Sequence, residues 1–454
     1  MSYSTLPLDE LVLVFDFLHP KDLVNAAQVC KLWREAAGVS SLWKKHCLRK
    51  WMFCNLSNIE PGHRTWQLYY QARYKVDTGV SKGRPGLDYT CKTLRGHPSK
   101  INDVVYVTSN SIYDEGIIDK AAHPVVASCD LDGMVCLWNP HNGKQLWKNA
   151  EQHNSSILCL AAVKPNGSFA SGDSNGNVVL WEIESGESNK LPESHNSPIV
   201  AMVCGEARKS SEEKKLFFVG ARNGEVKLLD VHDSFKLHTT LECPVDVLDS
   251  LLLYSSHRLV VSGHRFDSPS NVRVYDIRQL ERHGRELYVL PSPPDVSCTC
   301  FCAAPSQSNF LAVGYSDGNI KLWDTSNGRE VHNFSAHMGS VTGLTAVGNT
   351  LVSIGQDLKT CVWSVSRLEL LTSYLDHNSE ITSVYGDAFK VVTCSRDYSI
   401  RVYGWGEARA LDSKYTLLGG SLQRAGQGFD KVICDYTTCI GMANNVLKAY
   451  SFQA

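Results

Sequence analysis

The stretch SCDLDGMVCLWN (128–139) holds a tight Asp-Gly turn and then an alternating strand that ends on Trp138. A turn of this kind between two strand-forming segments predicts a β-hairpin. The pattern returns as SGDSNGNVVLWE (171–182), as VGYSDGNIKLWD (313–324) and in five further copies. The eight copies close at intervals of 40–48 residues, on Trp138, Trp181, Leu229, Tyr275, Trp323, Trp363, Tyr403 and Tyr450. A period of this length is typical of a β-propeller with four strands in each blade.

From about residue 90 to residue 454 the repeats resemble the WD-repeat family. In that family a His, a Ser or Thr, an Asp and a Trp form one hydrogen-bonded relay in each blade. Counting back from the closing residue, the resemblance implies the relays His97–Ser128–Asp132–Trp138, His337–Ser353–Asp357–Trp363 and His377–Thr393–Asp397–Tyr403. Asn175, Asn223 and Asn444 stand at the turns of blades two, three and eight, so weakened or absent relays are predicted there. Because the pattern repeats around the ring, we interpret these residues as scaffold rather than as catalytic pairs.

The number of blades depends on how the ring closes. CKTLRG (91–96) reads as an outer strand with no blade before it, and it can pair with VLKAYS (446–451) at the other end of the chain. Eight blades are therefore favoured, and seven remain possible. Blade four departs most from the pattern, because its turn carries three extra residues around Ser268–Ser270.

Composition narrows the function classes. The 454 residues carry a formal net charge of −2 and no run of about 18 apolar residues. No nucleic-acid partner and no membrane span are expected, because phosphate binding needs a basic excess. The N-terminus has Asp9 and Glu10 where a signal peptide would be positive. We therefore expect an intracellular protein, in the cytoplasm, the nucleus or both.

Sixteen cysteines in such a protein are interpreted as reduced thiols packed in cores. Cys298, Cys300 and Cys302 alternate, which places all three on one face of a strand. Neither a metal site nor a cofactor site is predicted, because paired metal-ligand motifs are absent from the sequence.

The N-terminal stretch LPLDELVLVFDFLHPKDLVNAAQVCKLW (6–33) has apolar residues at helical spacing and more of them than a small helical unit can bury. Its LP opening, acidic pair, VCKLW run and later LW resemble the F-box. That resemblance implies docking on the adaptor of Skp–cullin–F-box ubiquitin ligases. The residues that match the family pattern are Leu6, Pro7, Leu11, Leu18, Leu23, Val29, Cys30 and Trp33. The alternative is an ordinary helical core.

The predicted fold class is therefore multidomain: a small all-α F-box (1–50), a helical linker (51–89) and an all-β WD-repeat propeller (90–454). The linker carries Trp66, Tyr69, Tyr70 and Tyr74 at near-helical spacing. We interpret this stripe as packing rather than as a ligand cage.

The resemblance implies a non-catalytic receptor subunit of a ubiquitin ligase. Its F-box would dock on the adaptor, and its propeller would hold a target protein near the conjugating enzyme. An alternative is a scaffold that binds the adaptor without delivering targets for degradation. A propeller enzyme is a further alternative, but no nucleophile–base pair stands outside the repeat pattern.

In this family the residue before the turn Asp or Asn faces the top of the ring. Three of these positions carry arginine, which suits pairing with phosphate. The predicted target-binding residues are Arg222, Arg396 and, as the equivalent in blade four, Arg265. Asp130 and Asp173 are expected to place acid on the opposite arc. The alternative is that these arginines are only solvated side chains.

Overall fold

Two compact units make up the part of the chain that the structure describes, one up to Gly79 and one from Val80 onward. The computed structural model describes residues 6–51, 65–108, 124–164, 167–192, 194–209, 212–254, 257–265, 268–278, 286–303, 309–387, 389–405, 411–418 and 428–452. No helix within these ranges is long and apolar enough to cross a membrane. The domain boundaries at 50 and 89 stay predictions.

The first unit is helical. In the described residues its helices are α1 (Leu8–Phe15), α2 (Pro20–Ala26), α3 (Lys31–Ala37), α4 (Ser40–Lys50) and α5 (Trp66–Lys82), whose last residues belong to the second unit. Pro7 and Pro20 stand at the starts of α1 and α2, where a missing N–H costs no helical hydrogen bond. The ring of Phe15 on α1 meets Trp33 on α3 edge to face, with 5.3 Å between centroids. Short amphipathic helices thus share one small core.

Aromatic residues of α5 pack against the end of α4. The Trp51 indole donates to Asp77 at 2.8 Å, and Tyr70 stacks on Tyr74 with 5.8 Å between ring centroids. The Arg73 guanidinium lies 4.6 Å from the centre of the Trp51 ring. These contacts occupy the aromatic faces, which supports the interpretation of the stripe as packing.

The second unit is a propeller. In the described ranges it consists of eight four-stranded antiparallel sheets, so the prediction of eight blades is confirmed. The strands of blades one to four are β2 (Ile101–Thr108), β3 (Val125–Asp130), β4 (Val135–Asn139) and β5 (Lys144–Asn149); β6 (Ile157–Lys164), β7 (Ser168–Asp173), β8 (Val178–Glu182) and β9 (Ser188–Lys190); β10 (Ile199–Lys209), β11 (Glu212–Ala221), β12 (Glu225–Asp230) and β13 (Lys236–Glu242); β14 (Val247–Leu253), β15 (Arg258–Arg265), β16 (Ser268–Asp276) and β17 (Glu286–Pro291).

The last blade contains both ends of the propeller. The strands of blades five to eight are β18 (Cys298–Ala303), β19 (Phe310–Tyr315), β20 (Asn319–Asp324) and β21 (Arg329–Ser335); β22 (Val341–Val347), β23 (Thr350–Gly355), β24 (Thr360–Ser364) and β25 (Glu369–Tyr374); β26 (Ile381–Gly386), β27 (Lys390–Ser395), β28 (Ile400–Trp405) and β29 (Leu411–Thr416); β30 (Lys431–Cys434), β31 (Thr438–Ala443), β32 (Val446–Ser451) and β1 (Thr90–Arg95). β1 pairs with β32 over six residues, from Thr90↔Ser451 to Arg95↔Val446. The closure predicted for CKTLRG is therefore confirmed.

The first strand of most blades carries a β-bulge. In the described residues of blades one to seven, one residue near the start of this strand has no partner in the next strand. The side chains of Thr299, Thr342 and Thr382 at this position donate to a carbonyl of the following blade at 2.6–2.8 Å. In these three blades the bulge thus turns a polar side chain toward the neighbouring blade.

Because of the bulge in blade five, three cysteines are placed differently from the prediction. Cys298 packs in the core cluster that contains Tyr315 and Trp323, whereas Cys300 and Cys302 pack in the cluster that contains Trp363. They were predicted to share one face, which is wrong because the extra residue Thr299 reverses the alternation. Burial raises the pKa of the Cys300 thiol to about 12, as expected for a core cysteine.

Candidate functional site

The hydrogen-bonded relays occupy the blade interiors. In blade one the Trp138 indole donates to the Ser128 hydroxyl at 2.8 Å, and Ser128 lies 2.7 Å from His97 Nε2. His97 Nδ1 lies 2.7 Å from Asp130, not from Asp132. Asp132 is exposed, so its predicted place in the relay is wrong. The carboxylate instead stands at the end of β3, two residues after Ser128.

Blade two contains a complete relay of the same kind. The Trp181 indole donates to Ser171 at 2.7 Å, Ser171 lies 2.7 Å from His153, and His153 lies 2.9 Å from Asp173. The weakened relay predicted from Asn175 is therefore wrong, because Asp173 does not depend on that turn position. The signal was an Asp two residues after the Ser, in both SCD (128–130) and SGD (171–173).

Blades six and seven use the turn aspartate, as predicted. His337 lies 2.8 Å from Asp357 and 2.9 Å from Ser353, and the Trp363 indole donates to Ser353 at 2.9 Å. In blade seven His377 lies 3.1 Å from Asp397 and 2.8 Å from Thr393. These relays join the strands of one blade.

Blade three keeps only part of the relay. His195 Nδ1 lies 2.8 Å from Glu225, and the position of the hydroxyl is taken by Val219. His195 Nε2 has no hydrogen-bond partner among the described residues. The weakened relay predicted for this blade is confirmed.

One backbone hydrogen bond marks the rim position, defined as the residue that follows the second strand of a blade. Its N–H donates to the carbonyl of the residue before the first strand, at 2.8–3.1 Å in six blades. The rim residues marked in this way are Leu131, Ser174, Arg222, Ser316, Gln356 and Arg396. The rim positions predicted from the sequence are thus equivalent in these blades.

Blade four is the exception. In blade three the pair Ile199↔Ala221 precedes the bulge, and rim residue Arg222 follows Ala221. In blade four the pair before the bulge is Leu248↔Gly263, so the residue equivalent to Arg222 is His264, which here lies within the longer β15 rather than after it. Arg265 was predicted at this place, which is wrong by one residue. The prediction counted residues back from Tyr275, and the longer hairpin of blade four makes that distance differ from the other blades. His264 Nδ1 lies 3.2 Å from Asp249.

The three arginines predicted to bind a target differ in position and in pairing. Arg222 is exposed, and Arg265 is exposed one residue beyond the rim position. Arg396 forms an ion pair with Asp430 of blade eight. Arg265 therefore differs from its predicted position, whereas Arg222 and Arg396 stand at theirs, and target binding by these arginines stays a prediction.

The two aspartates expected to form an acidic arc opposite these arginines are not exposed. Asp130 and Asp173 are buried and are bound to His97 and His153. They were expected to carry surface charge, which is wrong because both belong to relays.

The residues predicted to contact an adaptor divide by burial. Leu11 and Leu23 are buried, and Leu18 and Trp33 are half-buried, so these four contribute to the small helical core. The exposed members are Leu6, Pro7, Val29 and Cys30. The sequence pattern therefore mixed core residues with surface residues.

Further apolar side chains are exposed on the same unit. Phe17 is 89% exposed, and Leu13 is 68% exposed. Val14 and Val24 are also exposed. In the sequence Leu13 and Phe17 widen the apolar face beyond the stripe to which Val14 belongs, which is the signal that could have selected them.

Family comparisons agree with this division of the chain. Residues 3–49 match the F-box-like family. Residues 89–139 and 144–182 match the family described as WD domain, G-beta repeat. Residues 273–349 match the WD40 domain of anaphase-promoting complex subunit 4.

Similar curated proteins match over part of their length. F-box/WD repeat-containing protein 15 of Mus musculus is 24% identical over 183 residues, which are 40% of this chain and 38% of that protein. F-box/WD repeat-containing protein 12 of Homo sapiens is 22% identical over 32% of this chain and 31% of that protein. The matched part of this chain thus spans less than two fifths of either relative. Angio-associated migratory cell protein of Canis lupus familiaris is 22% identical over 62% of this chain and 64% of that protein.

A solved structure supports the fold. The computationally designed Ika8 protein matches with a TM-score of 0.60 and 23% identity, over 79% of this chain and 98% of that one. At this identity the likeness shows the fold alone. The chain combines an F-box-like N-terminal segment with an eight-bladed WD-repeat propeller, which is the domain combination named in the F-box/WD repeat-containing proteins.

Proposed function

We propose that this chain is the substrate-recognition subunit of a Skp–cullin–F-box ubiquitin ligase. Its helical unit docks on the Skp-type adaptor, and its propeller holds the target protein. The observation that carries the proposal is the apolar surface of the F-box-like segment, where Leu13, Val14 and Phe17 are exposed on or just after one short helix. An apolar surface of this kind on so small a unit marks a protein interface.

The chain contributes position rather than a reacting group. An adaptor bound at one end and a target bound at the other raise the effective concentration of target lysines near the conjugating enzyme. The histidines and aspartates that resemble catalytic pairs are bound to one another inside the blades, as His337 is to Asp357. They support the scaffold interpretation, and the proposal assigns them no step in ubiquitin transfer.

The first test replaces an exposed apolar residue by a charged one. Phe17→Glu should abolish co-purification of the adaptor and of neddylated cullin, because it places a charge in an interface that excludes water. Asn25→Glu adds the same charge at an exposed polar position of the same unit and should leave co-purification unchanged. Pro7→Ala with Leu11→Ala tests the interface less cleanly, because Leu11 is buried and its loss would also weaken the helical core.

Retention of the adaptor by Phe17→Glu, with an unchanged Tm, would contradict the proposal. A second measurement distinguishes a receptor that delivers targets from a scaffold that only binds its partner. A delivered target accumulates on the receptor when the proteasome or neddylation is blocked, whereas the bound partner of a scaffold does not change in amount.

A further inference from the structure

The turn after the rim position has an unusual backbone in blades six and seven. In blades one, two, three and five the second residue after the rim position is glycine, with φ between 83° and 87°. Leu358 and Tyr398 stand at this position in blades six and seven, with φ of 64° and 66°. Residues with a Cβ atom rarely adopt this left-handed backbone conformation, because the Cβ comes too close to the neighbouring backbone atoms. Strain of this kind tends to persist where a side chain has a function.

The turn position that Tyr398 occupies in blade seven is filled differently in the other blades. In the glycine blades a Cβ would approach a carbonyl oxygen of the next blade to 2.1–2.8 Å, so only glycine fits. Tyr398 is 46% exposed, which shows that much of its side chain lies outside the core. Asn444 adopts a left-handed conformation in the turn of blade eight, with φ of 50°. Asparagine tolerates this conformation better than tyrosine, so the turn itself could form without the ring.

The polar groups around Tyr398 are already bound within the propeller. Asp397 accepts the backbone N–H groups of Asn378 and Ser399, each at 2.9 Å, and it also contacts His377. Arg396, two residues before Tyr398, is paired with Asp430. Arg396 is therefore paired within the chain, and Asp397 stays an anion that hydrogen bonds hold in place.

Apolar side chains remain exposed on the same loops. Met338 is 89% exposed and follows His337 in the loop before β22, where its N–H donates to Asp357 of the blade-six turn. Leu375 is 67% exposed in the loop that leads to His377. His377 in turn lies 3.0 Å from Ser399, the residue after Tyr398. Met338 thus stands beside the turn of blade six, and Leu375 and Tyr398 stand on a loop and a turn that meet in the neighbouring blade seven.

We propose that the surface formed by Met338, Leu375 and Tyr398 holds the target, and that the target presents a short apolar or aromatic segment there rather than a phosphate. The proposal rests on the receptor function proposed above and names the substrate class of the propeller. Tyrosine and methionine are suited to this role, since one offers a large rigid contact and the other an adaptable one. A paired Arg396 beside an anionic Asp397 disfavours a phosphorylated segment, which would need unpaired arginines, and the side chains left exposed there are apolar.

The test uses the full chain and a phage-displayed library of random peptides of about twelve residues. Selected peptides should be enriched in Leu, Met, Phe, Trp and Tyr. Tyr398→Asn should weaken the best selected peptide roughly tenfold or more, as loss of a central aromatic contact does. The Tm of this variant should stay the same or rise, because the substitution relieves the strained turn. Arg222→Ala, on blade three, is the control and should leave peptide affinity within about twofold.

Four results would overturn the proposal. These are enrichment of acidic peptides that depend on Arg222, no enrichment at all, unchanged affinity in Tyr398→Asn, and a lower Tm in that variant, which would show that the ring packs internally. Adaptor co-purification is measured separately on the same variants. If Tyr398→Asn loses peptide binding but the unaltered chain does not co-purify with the adaptor, the ligase proposal is contradicted. The proposal for this surface then still stands.

Discussion

At the scale of single residues, the relays have a fixed direction. An indole can only donate, so Trp363 donates to the Ser353 oxygen, and the Ser353 hydroxyl in turn donates to His337 Nε2. His337 then donates from Nδ1 to Asp357. Burial lowers the pKa of His337 despite the nearby Asp357, which keeps the imidazole in the neutral form that this order needs.

The relay carboxylates predict how the fold responds to acid. Burial tends to raise the pKa of Asp173, but hydrogen bonds from His153 and Asn177 outweigh burial and lower this pKa to about 2, from an ordinary value of 3.8. Since the folded pKa lies below the unfolded one, this stabilisation is present above about pH 4 and is lost as pH falls toward 2. Asp173→Asn should lower the free energy of unfolding by about 2 kcal/mol at pH 7 and much less at pH 2.5.

Urea unfolding at pH 7, 4 and 2.5 measures this difference. Asp132→Asn is the matched control, because Asp132 is an exposed carboxylate near the equivalent turn of blade one and stands outside the relay. It should change the free energy of unfolding by less than about 0.5 kcal/mol. An equal loss for Asp173→Asn at all three pH values would show that the carboxylate charge is not what stabilises the blade.

At the scale of elements, residues 80–89, which lead into β1, are held against blade seven. The Tyr415 hydroxyl of β29 donates to the Val80 carbonyl at 2.7 Å, and the Leu418 N–H donates to the Tyr89 hydroxyl at 2.7 Å. Gly83 has φ of 59°, and a Cβ there would lie 2.2 Å from atoms of the Tyr415 ring. A glycine is thus required both by the backbone and by the close approach of this ring.

Gly83→Ala should therefore destabilise the protein more than Gly86→Ala. Both glycines have positive φ, but a Cβ on Gly86 would meet nothing within 4 Å. The backbone cost is common to both variants, so the difference in their Tm isolates the clash with Tyr415. We expect Gly83→Ala to lose about 1–3 kcal/mol more than Gly86→Ala, as overpacked positions do. Equal Tm values would mean that the segment moves away from Tyr415 at little cost.

The sequence predicted the elements better than their register. Repeated turns and closing residues revealed eight hairpins, because both signals are local and the loss of the aromatic at Leu229 still leaves the turn of that blade. The relay aspartates of blades one and two were missed, because Asp130 and Asp173 belong to the second strand and not to the turn. His264 was missed because an insertion breaks the count along the chain while leaving the strand pairing intact. Which of the apolar residues 6–33 would be exposed depends on tertiary packing, which periodicity alone does not contain.

At the scale of the whole propeller, charges connect the blades where the ring closes. Asp430 of blade eight pairs with Arg396 of blade seven, and its other oxygen lies 3.8 Å from Lys100, just before blade one. Lys431 lies 2.6 Å from Asp103 of blade one, and Asp103 also accepts the N–H of Leu160 in blade two at 2.9 Å. These contacts reinforce the ladder between β1 and β32.

Removal of β1 should open the ring. A chain that begins at Pro85 keeps the six-residue ladder, whereas one that begins at His97 leaves β32 as an exposed edge and removes the buried Leu94 and Tyr89. We expect the shorter chain to melt roughly 10 °C or more below the longer one, since several kcal/mol are lost. Circular dichroism melting compares the two chains directly. Similar Tm values would show that closure does not depend on this strand.

The pairing of β1 with β32 also sets an order of events during synthesis. The two strands are separated by about 350 residues of sequence, so at translation speeds of about 5–20 residues per second β1 waits on the order of 20–70 s for its partner. During that interval the early blades lack a closed ring, and the emerging first strands offer unpaired edges to other nascent chains. Production of this protein should therefore be more sensitive to ribosome stalling within the last blade, and to the supply of chaperones that cover strand edges, than its stability after release would indicate.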